Sequence, residues 1–185
     1  HLTIATNLQK FASERLKGMS ASSVLIDIKS GDILSLVSTP SYNPNNFVLG
    51  ISQSDWSALL NDERKPLLNK ATSGAYPPGS TFKMVVAAAA LELGLIGLND
   101  KIFCAGFYEL GSRKFHCWLK GGHGKLTLQE GIQKSCDVYF YELARKVGVK
   151  RIGDMARRLG LGQAYDLPLT GLSKGFVPTK KWKKE

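Results

Sequence analysis

Ser80 and Lys83 are the first residues whose types and spacing could do chemistry. They lie three apart at the start of the apolar run Met84 to Leu95, so on a helix both side chains share one face. A lysine acts as a base only when burial or nearby positive charge favours its neutral form, and the apolar run offers burial. Ser80 is therefore a candidate nucleophile with Lys83 as its base. Taken alone, so short a motif is better explained as a capped helix with a surface lysine.

A second hydroxyl and a carboxylate follow in Ser135-Cys136-Asp137, between two predicted helices. Ser135 and Asp137 are two residues apart, so in an extended turn their side chains point the same way. Such a pair could relay a proton and orient Lys83, as the third member of a catalytic triad does. The alternative is an N-cap for the helix that starts near Asp137.

Three cysteines and a histidine form a third candidate constellation. Cys104, Cys117, His123 and Cys136 are separated by twelve, five and twelve residues. Three thiolates and one imidazole make a complete tetrahedral zinc set, and a four-ligand site is closed and structural. His116 is a rival ligand, although it adjoins Cys117. A Cys104–Cys117 disulfide with a free Cys136, or three unpaired thiols, are the alternatives left open.

The elements that must position these residues alternate between helices and strands. A hairpin is predicted around Lys29-Ser30-Gly31-Asp32, because turn residues there join two β-rich runs. A helix of about four turns begins at Ser80, and residues 98–136 are interpreted as a loop-rich insert held by metal. This order predicts an α/β, layered α+β architecture whose sheet is completed by strands outside this sequence. The remaining predicted helices cover residues 3–17, short pieces of 51–70, and 127–135, 137–147 and 150–159.

Composition limits the classes of protein to consider. The 185 residues are 43% hydrophobic, which is enough for one domain or a large part of one. No run of eighteen apolar residues is present, so no membrane span is expected. The net charge of +10 favours anionic partners, but the basic residues are scattered without interleaved aromatic residues, and nucleic-acid binding is not expected.

These motifs resemble the transpeptidase domain of class B penicillin-binding proteins, and most closely its elongation-specific group, penicillin-binding protein 2. The resemblance spans nearly the whole chain, so that residues 1–185 would be the N-terminal portion of one transpeptidase domain. It implies a penicillin-binding protein/serine β-lactamase fold, with an antiparallel sheet flanked by helices. It also implies that Ser80 is acylated, that Lys83 is the base, and that Ser135 and Asp137 form the second motif. The supporting segments are Asn7-Leu8-Gln9, Asp27 to Gly31, Ser41 to Asn45, Asn69-Lys70-Ala71, Tyr76 to Lys83, Gly122-His123-Gly124 and Ser135 to Tyr141.

By this resemblance the function is a peptidoglycan D,D-transpeptidase that crosslinks stem peptides ending in D-Ala-D-Ala during cell-wall elongation and is acylated by β-lactams. A D,D-carboxypeptidase or β-lactamase-like hydrolase is an alternative, and so is a non-catalytic zinc-stabilised module that binds an anionic polymer. The resemblance strengthens the zinc interpretation, because some relatives carry zinc beside the second motif. It further implies no catalytic cofactor, an inner-membrane anchor with a periplasmic domain, and partnership with a membrane glycan polymerase and elongation-complex proteins.

Two departures from the family pattern affect these expectations. The second motif commonly ends in Asn, whereas here it ends in Asp137. The third motif, Lys-Thr-Gly or Lys-Ser-Gly, should follow the other two and help to complete the oxyanion hole. Its only match, Lys29-Ser30-Gly31, precedes Ser80 in the predicted hairpin turn and is interpreted as a chance match. We therefore expect the sequence to stop before the third motif, and this fragment alone to lack part of the site.

Overall fold

The computed structural model describes residues 2–182 and divides into two compact units. Within the described residues, the first unit comprises 2–76 and 165–173, and the second comprises 77–164 and 174–182. No helix of the described chain is long and apolar enough to cross a membrane. Mixed helices and antiparallel strands confirm the predicted α+β class.

The first unit is built on an antiparallel hairpin covered by a helix. The strands β1 (Ala21–Ile26) and β2 (Ile33–Thr39) pair as the turn residues predict. Helix α1 (Thr6–Arg15) packs on β2, and the Gln9 side chain both donates to Leu36 O and accepts from Leu36 N. A 3₁₀ turn (Pro44–Phe47) and α2 (Gln53–Asn61) follow. Residues 51–70 therefore contain one helix rather than several pieces.

The second unit is a helical core with short strands along one side. Helix α3 (Lys83–Glu92) packs against α5 (Asp137–Val147) and α6 (Val149–Arg158). The buried residues of α3 are all alanine or valine, and these small side chains let the neighbouring helices pack close to it. Helix α5 contributes the fully buried Tyr139 and Leu143. Tyr141 of the same helix is 38% exposed.

Residues 98–136 are more regular than the sequence suggests. They contain four short strands, β3 (Ile102–Cys104), β4 (Phe107–Leu110), β5 (Arg113–His116) and β6 (Gly124–Leu126). Strand β3 pairs with β6 and β4 pairs with β5, both antiparallel. Helix α4 (Leu128–Gln133) then starts at a capping box between Thr127 and Glu130. The sequence does not predict these strands, because strands of three or four residues are too short to show alternation.

Candidate active site

Ser80 lies in a short 3₁₀ turn rather than at the N-cap of a long helix. The turn Gly79–Phe82 leads directly into α3, and no side chain caps either element. Thr81 Oγ1 instead donates to Pro78 O. The predicted four-turn helix is therefore shorter, because Gly94 adopts a positive φ of 63° and Leu95 N donates back to Ala90 O at 3.0 Å, the hydrogen bond of a Schellman stop. Ser80 remains exposed at the surface of the unit.

Ser135 sits at the end of α4 in a conformation that usually belongs to glycine. Its φ is 46°, and the Cys136 N–H donates to Gly131 O at 2.9 Å while the Ser135 N–H donates to Ile132 O at 3.0 Å. These two bonds define a Schellman motif with Ser135 at the C′ position. A residue with a Cβ pays about 1 kcal/mol there. The side chain is thus held at this position despite a backbone cost, which is typical of functional sites.

The turn after Ser135 starts the next helix at once. Cys136 is the N-cap of α5, and its Sγ accepts from Tyr139 N at 3.4 Å. Asp137 is therefore the first residue of α5, where a carboxylate is favoured by the helix dipole. The predicted N-cap role falls to Cys136 rather than to Ser135 or Asp137.

The four residues of the two motifs come together in one hydrogen-bonded cluster. Ser135 Oγ donates to Ser80 Oγ at 3.0 Å and accepts from Lys83 Nζ at 3.0 Å. Lys83 Nζ also donates to Ser135 O at 2.8 Å and to Asp137 Oδ1 at 2.7 Å. The spacing of Ser80 and Lys83 thus places them beside the same hydroxyl, and Ser135 Oγ is the atom that joins them.

Lys83 is partly buried, and each N–H donor of its ammonium group has an acceptor. Its side chain is 15% exposed and that of Asp137 is 26% exposed, and the Phe140 ring lies 5.8 Å from Nζ. An ammonium has three N–H donors, and Ser135 O, Ser135 Oγ and Asp137 Oδ1 are three acceptors. The charged form is consequently saturated with partners and fixed in one orientation.

The cysteine and histidine candidates also converge. Cys104, Cys117, His123 and Cys136 each offer one ligand atom, and these atoms all lie within 4.8 Å of one another. His123 Nδ1 lies 3.8 Å from Cys104 Sγ and 3.5 Å from Cys117 Sγ, and the Cys117 and Cys136 sulfurs are 4.0 Å apart. All three cysteines are free and buried. His116, the rival ligand, is exposed on β5 and is not part of the cluster.

These distances fit a tetrahedral zinc ion. With Zn–S about 2.3 Å and Zn–N about 2.05 Å, a regular tetrahedron needs S···S near 3.8 Å and S···N near 3.6 Å. Three of the six separations, at 4.0, 3.5 and 3.8 Å, lie close to those values, and the other three are no longer than 4.8 Å. The donor set and its geometry are therefore compatible with one closed four-ligand site.

The thiols differ in their surroundings. Burial alone raises the pKa of Cys117, but backbone N–H groups of Leu119, Val138 and Asp137 point at its sulfur and together bring that pKa below its usual value. Burial raises the pKa of Cys136 to about 12. Cys117 is thus a thiol whose anion the backbone already stabilises.

The sequence analysis did not predict the contacts of Trp118 with the second motif. Trp118 N donates to Asp137 Oδ2 at 3.1 Å and its indole Nε1 donates to Lys134 O at 3.0 Å. A backbone donor leaves no residue-type signal, so only the position of Trp118 next to Cys117 could have indicated this contact.

Residues 29–31 lie in the β1–β2 turn of the first unit, where Asp27 Oδ1 accepts from Lys29 N and Ser30 N. They lie in no strand of the described chain.

Comparison with known proteins gives consistent results. Residues 21–185 match the family described as the penicillin binding protein transpeptidase domain. The peptidoglycan D,D-transpeptidase MrdA of Escherichia coli is 42% identical over 187 residues, which cover 100% of this chain and 30% of that protein. The chain thus spans about a third of the length of such curated relatives.

Solved structures agree on the fold. Penicillin-binding protein 2 of Pseudomonas aeruginosa superposes with a TM-score of 0.93 at 38% identity, covering 99% of this chain and 42% of that one. Penicillin-binding protein 2 of Helicobacter pylori, solved in complex with MreC, gives a TM-score of 0.92 at 36% identity, covering 97% of this chain and 34% of that one. The chain belongs to the penicillin-binding protein transpeptidase domain family.

Proposed function

We propose that this chain carries the acylation machinery of a peptidoglycan D,D-transpeptidase, with Ser80 as the nucleophile. The observation that carries the proposal is the position of Ser135 Oγ, 3.0 Å from both Ser80 Oγ and Lys83 Nζ. A hydroxyl within hydrogen-bond reach of both a candidate nucleophile and a candidate base can pass the proton from one to the other. Family membership and the similarity to MrdA of E. coli support the same reaction.

The proton path follows from the atoms that touch. When Lys83 is a neutral amine, it keeps two N–H donors for Ser135 O and Asp137 Oδ1, and its lone pair faces Ser135 Oγ. The Ser80 hydroxyl proton then passes to Ser135 Oγ as the Ser135 proton passes to Lys83 Nζ, while Ser80 Oγ bonds to the carbonyl carbon of the penultimate D-alanine. The proton returns to the amine of the departing D-alanine as the amide C–N bond breaks.

The second half-reaction transfers the acyl group. An amine of a neighbouring stem peptide attacks the Ser80 ester and restores the hydroxyl, which gives a crosslink. A β-lactam enters the same first step, because its strained amide presents a carbonyl to Ser80 Oγ and its ring nitrogen takes the proton. Backbone N–H groups at the start of α3 favour the developing oxyanion.

We further propose that Cys104, Cys117, His123 and Cys136 hold a structural zinc ion, and that no catalytic cofactor is needed. The fit of three ligand-atom separations to a tetrahedron supports this. When bound, the ion supplies folding free energy rather than reaction chemistry. Its effect on the active site is mechanical, because Cys136 lies between Ser135 and Asp137.

The wider setting is proposed on the same basis. Residues 1–185 would be the N-terminal portion of one transpeptidase domain, with residues 98–136 as its metal-holding insert. The whole protein would be anchored in the inner membrane with its catalytic domain in the periplasm. Its partners would be stem peptides, β-lactams, a membrane glycan polymerase and elongation-complex proteins. The solved complex of the H. pylori relative with MreC supports the last of these.

Labelling with a fluorescent penicillin tests the assignment. A protein that contains this chain and all three family motifs should become covalently labelled, and Ser80→Ala should abolish the label. Ser13→Ala, a serine of α1 in the first unit, is the matched control and should label normally. Labelling that survives in the Ser80→Ala protein would reject Ser80 as the nucleophile.

A further inference from the structure

Trp118 makes two hydrogen bonds to the turn that carries the second motif. Its backbone N–H reaches Asp137 Oδ2 at 3.1 Å, and its indole Nε1–H reaches Lys134 O at 3.0 Å. One residue therefore holds the turn on both sides of Ser135. The indole itself is not a core side chain, since Trp118 is 63% exposed.

The same residue borders the cysteine and histidine cluster. Trp118 directly follows Cys117, and its ring lies edge-on to His123 with centroids 5.1 Å apart. His123 Nε2 is buried and has no hydrogen-bond partner in the described part of the chain. Trp118 thus connects the metal-ligand set to the catalytic turn by direct contact.

The Asp137 carboxylate is held by a different donor on each oxygen. Lys83 Nζ donates to Oδ1 at 2.7 Å and Trp118 N donates to Oδ2 at 3.1 Å. A carboxylate accepts on both oxygens, whereas a carboxamide of the same shape has one acceptor and one NH₂ donor. An asparagine at this position would aim its NH₂ group either at the Trp118 N–H or at the Lys83 ammonium. The two hydrogen bonds from Lys83 Nζ and Trp118 N to the Asp137 carboxylate, which we call the Asp137 clamp, therefore require Asp rather than Asn at this position.

We propose that Trp118 is a positioning residue for acylation, which fixes the orientation of the Asp137 carboxylate and through it Lys83, and which makes a carboxylate at position 137 obligatory. This inference rests on the proposed acylation of Ser80. Trp118 touches neither Ser80 nor Lys83 in any hydrogen bond of the described chain, so it acts through Asp137 and the Lys134–Ser135 backbone. Its indole bond fixes the turn, and its amide fixes the carboxylate.

A double-mutant cycle on the metal-loaded, full-length protein tests the proposal. The variants are Trp118→Phe, which keeps a ring beside His123 but removes the indole N–H, Asp137→Asn, and the two combined. Trp182→Phe is the matched control, because Trp182 is 55% exposed in the same unit and also packs edge-on to one ring, that of Phe176 at 5.1 Å. The measured quantities are the acylation rate constant and the reversible binding constant for a penicillin, together with the zinc content.

Trp118→Phe should slow acylation about fivefold, as expected for one lost hydrogen bond, with unchanged reversible binding and zinc content. Asp137→Asn should slow it roughly fiftyfold. Adding Trp118→Phe should then change little, because the indole bond acts on acylation by holding the turn that orients the Asp137 carboxylate, and that carboxylate is already lost. Trp182→Phe should match the wild type. A Trp118→Phe rate within twofold of the wild type, or equal slowing in both backgrounds, would overturn the proposal.

Hydrogen–deuterium exchange gives a readout that does not depend on acylation. The Trp118 backbone amide should exchange at least about tenfold faster in Asp137→Ala than in the wild type, because its acceptor is lost. Unchanged exchange would overturn the clamp even if Ser80 is acylated. Failure of the wild type to be labelled, with the exchange effect present, would instead reject the proposed function and leave the clamp standing.

Discussion

Removing the Ser135 hydroxyl tests the proton path most sharply among the second-motif residues. Ser135 Oγ makes one hydrogen bond to Ser80 Oγ and one to Lys83 Nζ, both at 3.0 Å. A neutral hydrogen bond contributes about 1 kcal/mol and one to a charged group about 1.5 to 3 kcal/mol. Ser135→Ala should therefore raise the acylation barrier by about 2 to 4 kcal/mol, which is roughly a thirtyfold to thousandfold loss in rate. Lys83 keeps its bonds to Ser135 O and Asp137 Oδ1, so its position should be preserved.

Ser135→Gly is the matched partner of that variant. It removes the same hydroxyl but also relieves the positive φ of 46°, so it should acylate as slowly as Ser135→Ala while being about 1 kcal/mol more stable to unfolding. Time-resolved labelling by a fluorescent penicillin gives the acylation rate, and urea unfolding gives the stability. A Ser135→Ala protein that retains more than a third of the wild-type rate would refute the role of this hydroxyl.

Three further predictions address the scaffold around the site. Gly131→Ala should destabilise the protein by about 1 to 3 kcal/mol, because its Cβ would lie 2.9 Å from Tyr139 Cγ, whereas Gly121→Ala, with nothing within 4 Å, should be nearly neutral in urea unfolding. Burial, with a smaller contribution from Asp100, raises the pKa of Tyr139 to about 12. As the pH rises, the Tyr139 phenol therefore loses its proton in the unfolded chain near pH ~10, before it does so in the folded chain. The contribution of Tyr139 to the free energy of unfolding should therefore be fully present below that pH and fall by roughly 2 to 3 kcal/mol towards pH ~12. Unfolding curves at pH 9 and 11.5 should show this loss in the wild type and not in Tyr139→Phe. Stripping the metal with a chelator should lower the melting temperature and slow acylation together, and zinc should restore both; acylation at the full rate in metal-free protein would contradict the proposed anchoring of the Ser135 turn.

The local patterns of the chain predicted those parts of the fold that depend on neighbours in sequence. The β1–β2 hairpin follows from turn residues between apolar runs, and α5 begins at Asp137 as expected. The spacing of Ser80 and Lys83 and the set of four metal-ligand candidates also indicated which side chains come together. These signals survive because each concerns residue types at short, regular separations.

The features that were missed depend on contacts distant in sequence. The left-handed conformation of Ser135 comes from the turn that joins α4 to α5, and a serine side chain does not predict it. The clamp by Trp118 uses a backbone amide nineteen residues from Asp137, and every residue except proline carries such a donor. The length of α3 was overestimated because apolar residues continue through Leu95 and Ile96 after the Schellman stop at Gly94.

The central claim is that Ser80 becomes acylated with Lys83 as the base, and peptide mapping by mass spectrometry after treatment with benzylpenicillin tests it most directly. The account predicts one adduct per protein, located on the peptide that contains Ser80. It also predicts that Lys83→Met yields almost none of this adduct while folding normally. An adduct on another residue, or undiminished acylation of Ser80 in the Lys83→Met protein, would contradict it.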